Sequence, residues 1–145
     1  MSITIHAINI TGSPALDFIR KEGAIKQSKE LTPEENKFIR KRMRSTNCSF
    51  DKHNCFHNSA MLLMSDSEKR IKYIEGVILI KGEVTTHAWN EISGKVIDVT
   101  LQNFGKFTDI SYYGLEIPQD QIKSLVLRSG YPQQSVIEQD LLKKI

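Results

Sequence analysis

Three apolar segments follow one another closely in the middle of the chain, at residues 71–80, 84–92 and 94–101. The connections between them centre on Lys81-Gly82-Glu83 and Ser93-Gly94, which are long enough only for hairpin turns. Because parallel strands need a crossover of a dozen or more residues, these strands must pair in antiparallel fashion. A fourth strand at 110–117, where Tyr112 and Tyr113 offer aromatic cross-strand area, would extend the same sheet.

Helices are predicted on either side of these strands. Thr32-Pro33-Glu34-Glu35 combines a hydroxyl N-cap, a proline at the first helical position and a glutamate that can complete a capping box, so a helix should follow to about Arg44. A largely apolar helix begins at Cys55, because apolar residues then recur at spacings of three and four. A further helix begins at 118–120 and ends in the glycine-containing stretch 129–132.

Weaker patterns account for both ends of the chain. They indicate a short strand at 3–10, one or two turns of helix at 15–20, and a last helical segment at 135–144. No internal repeat or low-complexity tract is present. We therefore predict one α+β domain over residues 1–145, with helices around an antiparallel sheet and a functional core at about 45–117.

The composition excludes several classes of protein. The chain has 145 residues, of which 39% are hydrophobic, which is enough for one core without disulfide staples. Twenty basic and seventeen acidic side chains leave a net charge of +3, so a nucleic-acid partner is not expected. The first residues lack the basic and apolar regions of a secretory signal, and no apolar run approaches the roughly twenty residues that cross a bilayer. We expect a soluble cytoplasmic protein that does not associate with membranes.

A cysteine, a histidine and an aspartate occur in an order that suits nucleophilic catalysis. Cys55 opens a helix, where orphan amides and the positive end of the helix dipole favour a thiolate. His87 lies on the second strand and can take the thiol proton and return it to a leaving group. Asp98 lies on the next strand, across the turn at Ser93-Gly94, where it could orient the imidazole. Counting from this turn predicts a diagonal or bulged pairing of His87 with Asp98.

These residues resemble the transglutaminase-like branch of the papain-like cysteine enzyme superfamily. The resemblance rests on Cys55 at a helix start, the string His87-Ala88-Trp89 on a strand, and the pattern Gly-x-x-x-Asp-x-Thr that ends at Thr100. It covers about residues 55–100 and implies a nucleophile-bearing helix packed on an antiparallel sheet, with Cys55, His87 and Asp98 as a catalytic triad. The family commonly has proline where this chain has Val99, and a tryptophan beside the cysteine where this chain has Phe56. These departures weaken a prediction of true protein crosslinking.

Candidates for an oxyanion hole are less specific. The backbone amide of Cys55 is one natural donor. Asn54, Asn47 and Gln27 could supply a side-chain amide, and the first two lie in the loop that leads to the nucleophile. The indole of Trp89 could bind substrate, although packing over His87 and excluding water is the favoured role.

A metal site is the main competing interpretation of the residues around the nucleophile. Cys48, His53, Cys55 and His57 provide ligands that zinc prefers, but their spacing is not that of a zinc ribbon. We therefore predict no metal and no organic cofactor. A Cys48–Cys55 disulfide is also not expected, since it would silence the nucleophile.

The predicted activity is that of a thiol protease or a related hydrolase. Cys55, His87 and Asp98 would hydrolyse or transfer an amide bond as a peptidase, an isopeptidase or a glutamine deamidase, with a protein or peptide as substrate. The alternative is a non-catalytic binding protein of the same fold that inhibits or adapts a protein partner. The basic face of the helix at 33–44 is predicted to be solvated, with recognition of an acidic partner as the other possibility.

Overall fold

The computed structural model describes residues 23–26, 29–46, 54–101, 103–104 and 110–137. In chain order these residues form β1 (Ala24–Lys26), α1 (Pro33–Ser45), α2 (Cys55–Met64), β2 (Ile71–Ile80), β3 (Glu83–Ile92), β4 (Lys95–Ile97), β5 (Ile110–Ile117) and α3 (Gln119–Ser129). The structure is a small α+β fold. The expected segments at 3–10 and 15–20, and all of the segment at 135–144 beyond Ile137, lie outside the described residues.

The strands form one antiparallel sheet in the order β1-β5-β2-β3-β4. The two predicted hairpins are confirmed: Lys81 and Gly82 join β2 to β3, and Ser93 and Gly94 join β3 to β4, all four with positive φ. This conformation suits tight hairpins because its twist matches that of the strands. The position of β5 beside β2 is a non-local pairing, and β1, which pairs with β5, was not predicted.

The N-terminus of α1 has the predicted capping box. The Thr32 hydroxyl accepts from the Glu35 amide, and the Glu35 carboxylate accepts from the Thr32 amide at 2.7 Å. The same carboxylate accepts from Lys95 at the start of β4, at 2.6 Å. Burial would raise the pKa of Glu35, but the hydrogen bonds from Lys95 and Thr32 outweigh it and lower the pKa to about 2. Glu35 therefore fixes the start of α1 against the sheet.

The helices cover the sheet through apolar clusters. α2 and α3 pack on Tyr73, Val77 and Ala88, all of which are buried. α1 contributes Ile39, which is fully buried, to a second cluster with Ile71 and other residues of the β2-β3-β4 end. α2 is buried along most of its length, as its apolar sequence predicted.

The third predicted strand, 94–101, is shorter than expected. β4 ends at Ile97, and Asp98 forms an isolated bridge with Asn103 through two hydrogen bonds of 2.7 and 2.8 Å. The Asp98 carboxylate also accepts from the Leu101 amide at 3.1 Å. A side chain that bonds the backbone three residues on competes with the strand ladder, so the chain turns after Asp98.

A close approach of two strands surrounds Gly76. This residue lies opposite Gly114 on β5, and a Cβ atom at Gly76 would overlap the Tyr113 carbonyl oxygen and the Gly114 Cα. A Cβ at Gly114 would in turn lie 2.7 Å from the Trp89 ring. Of the two roles that a mid-strand glycine suggests, a bend or a close approach, the structure shows the second.

We predict that Gly76→Ala destabilises the fold severely. The added methyl group meets backbone atoms, which cannot rotate away, so the free energy of unfolding should fall by about 3 kcal/mol or more. Urea denaturation measures this change. Gly82→Ala is the control, because its cost comes only from positive φ with open space around the Cβ, and a loss as large as that of Gly76→Ala would contradict the explanation.

Among the described residues, no helix has the length and apolar character required to cross a membrane.

Candidate active site

The imidazole of His87 and the carboxylate of Asp98 form a buried pair. The distance from His87 Nε2 to Asp98 Oδ2 is 2.8 Å, and the two residues are 6% and 0% exposed. Ile97 pairs with Asn90, so one residue further Asp98 comes level with Trp89 and diagonal to His87. The diagonal form of the predicted pairing is therefore the one that occurs. This diagonal pairing needs no bulge, because the regular hydrogen bonding between β3 and β4 ends at Ile97, one residue before Asp98.

Cys55 completes a line of three side chains. It is the first residue of α2 and is half-buried, and its thiol is one of the groups whose interaction with the His87 side chain raises the pKa of that imidazole. Since Nε2 of His87 faces Asp98, Nδ1 is the ring nitrogen left for the thiol. The structure thus brings together the three residues that the sequence singled out, in the order thiol, imidazole, carboxylate.

The electrostatics of this line favour a protonated imidazole. Burial would lower the pKa of His87, but hydrogen bonds with Asp98 and Cys55, together with their charges, outweigh it and raise the pKa to about 9. His87 is therefore positively charged at neutral pH.

Asp98 has hydrogen-bond partners in addition to His87. The Tyr112 hydroxyl donates to Asp98 Oδ2 at 2.8 Å, and Asp98 Oδ1 accepts from the Leu101 amide. Asn103 donates to the Tyr112 oxygen at 3.4 Å. Burial and the Asp98 charge both raise the pKa of Tyr112, so the phenol stays protonated and remains a donor. From the sequence alone, Tyr112 is expected only to pack against a neighbouring strand. Its contact with Asp98 could not be predicted, because it depends on the position of β5 in the sheet.

Trp89 packs over the His87 imidazole, which is the role favoured from the sequence. Its ring centroid lies 6.2 Å from that of His87 with an interplanar angle of 20°, and 4.9 Å from that of Tyr112. Trp89 is completely buried, so the structure supports its packing role and not the alternative of a substrate-binding indole. Its Nε1 has no hydrogen-bond partner among the described residues. The indole excludes water from one side of the His87–Asp98 pair.

Two asparagines fix α2 relative to the strands. Asn58, one turn after the nucleophile, is fully buried and donates to the Thr100 hydroxyl at 3.0 Å. Asn90 on β3 donates to the Ser59 carbonyl on α2 at 2.9 Å and to the Lys72 carbonyl on β2. The Asn58–Thr100 bond joins the helix that carries Cys55 to the turn that follows Asp98.

The start of α2 offers donors for an oxyanion. The first hydrogen bond of this helix runs from the Asn58 amide to the Asn54 carbonyl, so the amide of Cys55 has no partner within the helix. The Asn54 side chain does not cap the helix and instead donates to the side chain of Gln133, at 2.5 Å. Gln133 was not predicted, since it is 79 residues from Asn54 in the chain. Asn47 and Gln27, the other candidates, lie outside the described residues.

Glu75 forms a second buried network close to the nucleophile. Its carboxylate accepts from the Ser135 hydroxyl, from the Val136 amide at 2.8 Å and from the Tyr73 hydroxyl at 3.0 Å. Burial raises the pKa of Glu75, while the hydrogen bonds from Ser135 and the backbone partly offset it. The network anchors the segment that carries Gln133.

The metal hypothesis receives no support from the described ranges. They contain no group of three His, Cys, Asp or Glu side chains that could hold an ion. His57 lies against the ring of Tyr131, with centroids 5.2 Å apart. Cys48 and His53, the other proposed ligands, are outside the described residues, as is any Cys48–Cys55 pairing.

Comparison of the chain with protein-family models, with curated proteins and with solved structures finds no match to any of them. The function is therefore inferred from the geometry of the site and from the pattern of its residues.

Proposed function

We propose that this protein is a cysteine-dependent enzyme of the papain-like type that acts on an amide bond, with hydrolysis as its reaction. The single observation that carries the proposal is the continuous line from the Cys55 thiol through His87 to the buried Asp98. A structural cysteine needs neither a charged imidazole nor a buried carboxylate behind it. The transglutaminase-like residue pattern at 55–100 supports the same assignment.

The geometry suits two successive acyl transfers. The Cys55 thiolate would bond to the carbonyl carbon of the substrate, and the oxyanion would accept hydrogen bonds from the Cys55 amide and a side-chain amide. As the C–N bond breaks, the His87 imidazolium gives its proton to the leaving amine, which leaves a thioester on Cys55. Water then attacks the thioester, His87 takes a proton from it, and the carboxylic acid departs as the Cys55 thiolate and the His87 imidazolium are restored. Asp98 orients His87 throughout.

An activated ester tests this chemistry without knowledge of the natural substrate. With p-nitrophenyl acetate, the wild type should release a burst of about one equivalent of p-nitrophenol and carry an acetyl group on Cys55, followed by slower turnover. Cys55→Ala should lose the burst, whereas Cys48→Ala should keep it. Mass spectrometry of the acylated peptide locates the acetyl group. Acetylation of both cysteines at equal, slow rates would refute the proposal and favour the non-catalytic binding protein.

A further inference from the structure

The basic excess of this protein is concentrated in one helix. The whole chain has twenty basic and seventeen acidic side chains. α1 alone has five basic residues and two acidic ones. The rest of the chain therefore contains fifteen of each and is neutral. The modest net charge of +3 conceals a local positive charge of the same size.

The two acidic residues of α1 form ion pairs with cations outside this helix. Glu34 pairs with Arg70 at 2.8 Å, and Glu35 pairs with Lys95 at 2.6 Å. Neither neutralises a cation of its own helix. Within the described residues, the carboxylates of α1 therefore compensate cations from outside the helix and not those of α1 itself.

Four of the five cations form a continuous surface, which we call the basic stripe: Lys37, Arg40, Lys41 and Arg44. Their spacing places them within an arc of about 100° and over a length of about 10 Å. All four are exposed. The fifth, Arg42, lies on another side of the helix, where it donates to the Ser65 carbonyl at 3.3 Å and lies over the ring of Phe38.

The basic stripe weakens the helix that carries it. Like charges three and four residues apart repel each other, and four pairs in the stripe have this spacing: Lys37–Arg40, Lys37–Lys41, Arg40–Arg44 and Lys41–Arg44. Across the ranges that the structure covers, none of the four forms an ion pair. The capping box and the fully buried Ile39 fix the rotation of α1, so the stripe points away from the sheet. A fixed, uncompensated array of one sign suits an oppositely charged partner.

We propose that the basic stripe is a docking surface for a short acidic segment of a partner protein. Its length matches four carboxylates at helical spacing, or an extended run of about four acidic residues. A nucleic acid is a poorer fit, because the stripe is short and the rest of the chain is neutral, so the protein offers no extended basic face to a polyanion.

The docked segment would lie near the loop that follows Asp98. The Arg40 guanidinium lies over the ring of Phe104, 4.4 Å from its centroid. Phe104 directly follows Asn103, which bridges to Asp98. The stripe thus adjoins the loop that holds Asp98, although the proposal does not depend on thiol chemistry.

Binding of a labelled acidic peptide tests the proposal on the full chain carrying Cys55→Ser, which removes any turnover. The probe is a fluorescein-labelled peptide with glutamates at spacings of three and four residues, and fluorescence anisotropy reports binding at low and high salt. The stripe variant combines K37Q, R40Q, K41Q and R44Q. Its matched control combines K69Q, K72Q, K81Q and K123Q. These substitutions also remove four positive charges, but from parts of the chain outside α1.

The stripe variant should bind the peptide at least about tenfold more weakly than the parent, whereas the control should change affinity less than about twofold. Binding by the parent should weaken as salt rises. Equal losses in the two variants would overturn the proposal, because they would show attraction to total charge. Tighter binding of a DNA duplex, or of phosphatidylserine vesicles, than of the peptide would also overturn it. Thermal unfolding of the stripe variant should be unchanged or raised, since repulsion is removed.

Discussion

His87→Ala should strongly slow the alkylation of Cys55 at acidic pH. In a Cys48→Ser background, iodoacetamide should alkylate Cys55 readily at pH 6, and His87→Ala should slow this reaction by roughly 30- to 100-fold. The reason is that an isolated thiol, with a pKa of about 8.5, is less than about 1% ionised at this pH. His87, with its pKa raised to about 9, supplies the positive charge that sustains a thiolate.

The dependence on pH separates this explanation from a general loss of structure. The difference between the two proteins should shrink above about pH 9, where His87 loses its proton and an ordinary thiol ionises unaided. His57→Ala is the matched control, because His57 is a half-buried histidine on the same helix that contacts Tyr131 instead of the thiol. Equal alkylation rates for the wild type and His87→Ala at pH 6 would refute the thiolate–imidazolium pair.

Asp98→Ala should cost both stability and activity. It leaves His87, Tyr112 and the Leu101 amide without their shared acceptor in a site where His87 and Asp98 are 6% and 0% exposed. Removing one member of a buried charged pair typically costs about 3–5 kcal/mol in the free energy of unfolding. The burst with p-nitrophenyl acetate should fall by at least about 100-fold, because the imidazole loses its orientation.

The stability loss should depend on pH in a defined direction. The folded-state pKa of His87 is about 9, above the unfolded value of about 6.5, so its contribution is complete below pH 6.5 and is lost as pH rises to about 9. Urea denaturation should therefore show a larger effect of Asp98→Ala at pH 6 than at pH 9.5. A difference that grows with pH would contradict this assignment.

Tyr112→Phe is the control that separates the orientation of Asp98 from its charge. It removes one hydrogen bond from Oδ2 but keeps the His87 contact, so the unfolding free energy should fall by about 1.5–3 kcal/mol. The burst should stay within about fivefold of the wild type. If Tyr112→Phe abolished the burst as completely as Asp98→Ala, the carboxylate would not be sufficient to orient His87 and the Tyr112 phenol would be required as well.

Features encoded by neighbouring residues could be predicted from the sequence. The capping box at Thr32 and Glu35 involves residues three apart, and the hairpins at Lys81-Gly82 and Ser93-Gly94 need only a backbone that accepts positive φ. The meeting of His87 with Asp98 could also be predicted, since a tight turn brings consecutive strands back side by side. Local conformational energy decides all three.

Features that join distant parts of the chain could not be predicted in this way. Tyr112 reaches Asp98 only because β5 pairs with β2, and Gln133 reaches Asn54 only because Glu75 anchors the segment at 135–137. The sequence marks Glu75 and Tyr112 merely as strand residues. Their partners are set by the packing of the whole fold.

The sequence by itself determined the antiparallel hairpins, the α+β class, and which cysteine, histidine and aspartate stand in the order that chemistry needs. The tertiary structure alone decided the order of the strands, the ending of β4 at Ile97 and the hydrogen bond from Tyr112 to Asp98. It also decided that the basic stripe has no ion-pair partner among the described residues. The reason is physical: turns and caps follow from the energies of adjacent residues, whereas burial and charge compensation depend on which distant segments come together.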